Sequence, residues 1–174
     1  MESSSIVSTS GQCGEEDFMR VMLGVGAVVA TVALAAPASA DDGGRPLSTT
    51  LSGAEECTGA GVCGVGDPDG SGTADLRINP GQEEVCFTIA VADIGAPGTN
   101  VRGHIHAAPE GSNGGIVVPL AEPAGPLPAS GVLEGCQAAD RELLLDIFHN
   151  PEQYYVNVHT PTYPAGAIRG QLGD

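Results

Sequence analysis

The chain has 174 residues, with 22 acidic against 6 basic side chains, a formal charge of −16 at pH 7, and no tryptophan. Such an acidic surface repels phosphate backbones and anionic lipid, which excludes nucleic acid as a partner and favours cations and basic protein surfaces. The plainest reading of the acidity itself is solubility.

Residues 19–40 carry Arg20, an apolar run from Val21 to Ala36, and Ala38-Ser39-Ala40 in the small-x-small arrangement that signal peptidase cuts. They read as a signal peptide, so the mature chain is expected to start at Asp41, secreted. No second apolar run follows, hence no membrane span after cleavage is expected. Residues 1–18 are polar, acidic and aperiodic, which fits a disordered over-long start with the true initiator at Met19 or Met22. Residues 41–174 suffice for one domain with a proper core.

Setting aside Cys13, four cysteines remain: Cys57, Cys63, Cys86 and Cys136. In an exported chain they read as two disulfides, with three pairings open. Cys57 and Cys63 enclose a short Gly-rich loop and pair easily, which leaves Cys86 with Cys136. The spacing does not match a zinc knuckle.

In chain order, 41–46 reads as a flexible leader and 47–54 as a first strand. Residues 66–72, G-D-P-D-G-S-G, imitate the start of an EF-hand loop through Asp67, Asp69, Ser71 and Gly72. Ile78 stands where a bidentate Glu is required, so a turn is expected there and not an ion site. Strands follow at 73–79 and 83–93, the latter with Val85, Phe87, Ile89 and Val91 on one face. Further strands are expected at 101–107, at 116–120 with an internal proline that implies a sheet edge, and at 131–136. Residues 122–130 read as a Pro/Ala/Gly loop. Residues 139–149 are the one helical stretch, capped by Asp140 and ended by Asn150-Pro151. Strands at 154–160 and 165–172 close the chain. Many short strands, frequent turn signals and one small helix predict an all-β antiparallel sandwich or barrel.

Alternation places Arg102, His104 and His106 on one face of 101–107, Tyr155, Asn157 and His159 on one face of 154–160, and Arg169 and Gln171 on one face of 165–172. If the three strands share a sheet, one face is core and the other a polar cluster. His104, His106 and His159 can then offer three nitrogens to copper or zinc, with Tyr155, Asn157, Arg169 and Gln171 around them to orient the rings. The alternative is a hydrogen-bonded polar network that binds nothing. His149, at the end of the helix, is expected to be structural.

Two segments, G-H-I-H-A-A-P-E-G-S-N-G-G-I-V-V-P-L and N-P-E-Q-Y-Y-V-N-V-H-T-P-T-Y-P-A-G-A-I-R-G-Q-L, resemble the CHRD (chordin) domain over residues 47–172. The resemblance implies an exported single domain, 47–174, with an immunoglobulin-like or superoxide-dismutase-like β-sandwich and no established biochemical activity. A weaker similarity links H-x-H on a strand to copper/zinc superoxide dismutases. Dismutase chemistry needs a fourth ligand, for which only His149 is left, and a guiding cation, Arg102 or Arg169. No G-x-S-x-G, H-E-x-x-H or P-loop is present. The expected function is therefore an extracellular binding or structural module for a protein or envelope component, without catalysis. A copper- or zinc-binding protein is the alternative, and a dismutase-like enzyme a remoter one.

Overall fold

The computed structural model describes residues 44–95, 99–122, 126–127 and 131–173. The expectations for 1–18, for the signal peptide 19–40 and for the start of the leader lie outside the described residues, as does most of the loop 122–130. The strands are β1 (Arg45–Ser52), β2 (Ser71–Asn79), β3 (Glu84–Ala92), β4 (Thr99–Asn100), β5 (Arg102–Ala107), β6 (Ile116–Ala121), β7 (Pro126–Leu127), β8 (Gly131–Ala138), β9 (Tyr154–His159) and β10 (Ile168–Gln171). One helix, α1 (Arg141–His149), lies between β8 and β9.

Eight strands form one antiparallel sheet in the order β6-β5-β9-β10-β1-β2-β3-β8. Its edge strands β6 and β8 come back into contact, so the all-β fold is a single sheet nearly closed into a barrel. The sandwich is thus made by one sheet curling on itself. Alternation drives this: Ile78, Val85, Ile89, Ile105, Val118, Leu120, Val156, Val158 and Ile168 are all fully buried in the enclosed core. Leu144 and Ile147 of α1 join that core.

Local signals account for most boundaries. Asp140 caps α1 by accepting from the backbone N–H groups of Glu142 and Leu143. Pro119 sits in β6 on the sheet edge, where a missing N–H costs no ladder bond. β1 starts at Arg45, so the expected leader loses its last two residues to the sheet. It also ends early, at Ser52, where residues 53–55 form a 3-10 turn. Gly53 packs so closely on residue 67 that a Cβ would lie 1.9 Å from the Asp67 carbonyl oxygen. Asp67 itself accepts from the Asp69 N–H at 3.3 Å, an Asx turn, and Ser71 and Gly72 already belong to β2.

The pairing of β4 with β7 was not expected, since two-residue strands carry no periodicity. Both disulfides form as expected. Cys57 and Cys63 close a six-residue separation, and Cys86 and Cys136 stand directly opposite each other on β3 and β8. Among the described residues no helix is long and apolar enough to cross a membrane.

Candidate metal centre

β5 and β9 run side by side, with Arg102 opposite His159, His104 opposite Asn157 and His106 opposite Tyr155. Residues two apart share a face, so His104, His106 and His159 gather on the side of the sheet away from the apolar core. One ring nitrogen from each lies within 4.8 Å of the other two, and among the described residues no fourth His, Cys, Asp or Glu joins this group. β5 pairs with edge strand β6 through register shifts that fall between Gly103 and His104 and between Ile105 and His106. Such irregularities re-aim side chains.

Carbonyl oxygens settle the tautomers of two rings. Nδ1 of His106 lies 3.0 Å from the Gly114 carbonyl and Nδ1 of His159 lies 3.2 Å from the Pro164 carbonyl. A carbonyl only accepts, so each Nδ1 carries the proton and each neutral ring keeps its lone pair on Nε2. Those two Nε2 atoms face one another at 3.3 Å. Two acceptors at that distance repel unless a proton or a metal ion lies between them. A tetrahedral ion with bonds of about 2.0–2.1 Å to imidazole spaces its nitrogens about 3.3–3.4 Å apart.

His104 is 5% exposed, and its Nε2 lies 3.3 Å from a carboxylate oxygen of Glu122 while its buried Nδ1 has no hydrogen-bond partner. A carboxylate on one ring nitrogen and an unused second nitrogen is a pattern common to metal-binding histidines. His104 and His159 also line a cleft of about 370 Å³ with Asn100, Arg102, Thr160 and Pro164, so the cluster is open to small molecules on that side.

Burial favours the neutral form of two of the rings, His106 and His159. It pushes His159 down to about 4, helped by the neighbouring His104 and His106, with the Pro164 carbonyl opposing. His106 is lowered too, by burial first, against the Gly114 carbonyl. Neutral imidazole is the form that ligates.

The residues expected around the histidines divide. Tyr155 stacks on His106, ring centroids 4.9 Å apart at 18°. Asn157, 1% exposed, sits across from His104, with its Oδ1 unpartnered. Arg169 and Gln171 make no hydrogen bond to a histidine. The Arg169 guanidinium donates to the carbonyls of Ser112 and Pro109 at 2.7 and 3.2 Å and to Gln171 Oε1 at 3.0 Å, over the Tyr155 ring at 3.5 Å. The Gln171 amide donates to the carbonyls of Ala108, Glu152 and Tyr154. Both therefore tie the loop 108–115 down over the polar face. His149 stands apart, exposed at the end of α1 and edge-on to Phe148.

Sequence reading missed Glu56, Glu122 and the carbonyls of Gly114 and Pro164. Glu56 is 1% exposed beside Asn157, and burial raises its carboxyl while Arg169 and the Asn157 amide pull it down. Glu122 could have been found by following the β5–β6 hairpin one residue past its last pair, Gly103 with Ala121. No residue-type signal marks a carbonyl.

The CHRD domain family model matches residues 47–172, nearly all of the described chain. No curated protein and no solved structure matches the chain significantly. The match spans β5, β9 and β10, whose side chains make the polar face, and on it the chain belongs to the CHRD domain family.

Proposed function

We propose that this chain is an exported binding module that holds one copper or zinc ion on His104, His106 and His159, and that it acts as a binder, not as a catalyst. The observation that carries the reading is the pair of Nε2 atoms 3.3 Å apart, each with its Nδ1 proton committed to a carbonyl. The spare Nδ1 of His104 supports it, as does the chemistry of the set, since three imidazoles suit copper and zinc better than calcium or magnesium. Two disulfides favour an oxidising compartment outside the cytoplasm, where an extracellular protein or envelope component is the partner class.

A second reading has an observation of its own. Arg169 and Gln171 satisfy five backbone carbonyls between them, which is what a purely structural polar network does. A dismutase-like activity draws less support, because the cluster has three ligands among the described residues and His149 lies elsewhere.

Calorimetric titration of the purified chain with zinc and with copper separates these readings. One equivalent bound, with a rise in melting temperature, both lost in a His104→Ala, His106→Ala, His159→Ala variant, is the expected result. No saturable binding, or binding that survives in the triple variant, would leave the network reading.

A further inference from the structure

His106 is the ligand with most of its surroundings supplied by a loop. Its Nδ1 proton goes to the Gly114 carbonyl at 3.0 Å, and the same residue's N–H donates to the Tyr155 hydroxyl at 3.2 Å. The backbone there is jammed against the end of β5: a Cβ on Gly114 would lie 1.8 Å from the Ala107 carbonyl oxygen. Residue 114 therefore has one place to sit, provided that the loop is held down.

What holds it is Arg169. This side chain is 1% exposed, and besides the Ser112 and Pro109 carbonyls it donates to Asn113 Oδ1 at 3.3 Å. Asn113 in turn donates to the Cys57 carbonyl in the small disulfide loop. Arg169 also lies over the Tyr155 ring, and Tyr155 in turn stacks on the imidazole of His106. Both restraints on the His106 ring, the carbonyl at its edge and the phenol on its face, thus lead back to one guanidinium that makes no hydrogen bond to any histidine.

We infer that Arg169 is a positioning residue for His106, presetting its ring plane and its Nδ1–H tautomer through Tyr155 and the loop 108–115 so that Nε2 is ready for the ion. The inference rests on the reading of the histidines as a metal centre, but its first readout needs no metal. A guanidinium suits the task because its donors fan out in a plane to several carbonyls while its face stacks on a ring. Outer residues of this kind typically alter metal affinity about 10–100-fold.

The test is nitrogen-15 NMR of the histidine rings in the metal-free chain, followed by zinc titration, for wild type, Arg169→Met and Tyr155→Phe. Wild type is expected to show His106 and His159 both protonated on Nδ1. Arg169→Met, with its far-ultraviolet circular dichroism retained, is expected to give mixed tautomers at His106 alone and about 10–100-fold weaker zinc binding. His159 should not change, because its proton goes to Pro164. Tyr155→Phe loses the hydroxyl that receives the Gly114 N–H and should move His106 the same way by less; it decides the matter should Arg169→Met fail to fold. Unchanged His106 tautomers in both folded variants, or equal changes at His106 and His159, would overturn the inference. In a chain that binds no zinc, the tautomer shift alone upholds it and its absence overturns it, so the two proposals fail separately.

Discussion

Along β3 burial alternates, with Val85, Phe87, Ile89 and Val91 inside and Thr88 exposed, whereas along β9 the five residues from Tyr154 to Val158 are all buried. Both strands give one face to the same apolar core. They differ in the other face, which water covers at β3 and which the loop 108–115 covers at β9. Covering a face that carries His, Asn, Tyr and Arg requires a hydrogen-bond partner for each group, because an unpaired buried polar atom costs about 1–3 kcal/mol. That demand explains why single polar residues such as Arg169 and Gln171 organise so much backbone. It also singles out the few polar atoms left over, the Nδ1 of His104 among them.

The contrast predicts that polar and apolar deletions fail differently. Arg169→Met should cost about 3–5 kcal/mol in urea unfolding, since it strands several buried carbonyls, and should weaken zinc binding as well. Ile89→Ala on β3 should cost about 2–5 kcal/mol through its cavity and leave zinc stoichiometry and affinity unchanged. A shared loss of zinc binding in both would mean that the two faces are not separable.

The disulfides repeat the comparison. Removing Cys86–Cys136, with a sequence separation of 50, should cost about 4 kcal/mol in the chain-entropy model without touching the histidines. Removing Cys57–Cys63, with a separation of 6, should cost only about 2 kcal/mol yet lower zinc affinity, because Asn113 leans on that loop and Glu56, next to Cys57, bonds Asn157. Serine pairs at each site, measured by melting and by titration, would show the crossover.

Acid sharpens it further. His159 titrates at about 4 in the fold, below its ordinary 6.5, so the unfolded chain takes up its proton first. The metal-free protein should therefore hold this stability above pH 6.5 and lose it as the pH falls towards 4. A His159→Ala variant should have a shallower slope over that window in melting temperature against pH. The smallest effect belongs to Asp140→Ala, which removes the α1 cap for about 1 kcal/mol and should leave the metal site as it was.

Much of this was legible in the sequence where period-two patterning runs long. The apolar face of β3, the edge position of Pro119 and the Asp140 cap follow from residue type and spacing alone. The same alternation puts His104, His106 and His159 on one face. What spacing does not contain is where a loop returns. The Gly114 and Pro164 carbonyls that set two tautomers are backbone atoms, identical in every residue. The reach of Arg169 to residues 109 and 112 depends on the chain path between β5 and β6, and Glu56 reaches Asn157 only because the 3-10 turn bends the chain back over the sheet.

The most direct test is a crystal structure of the chain grown with zinc or copper, with data collected on both sides of the metal's absorption edge. One strong anomalous peak is expected at about 2.0–2.1 Å from Nε2 of His106, Nε2 of His159 and a ring nitrogen of His104. No peak among these rings at a saturating metal concentration, with His106 and His159 still facing each other, would contradict it.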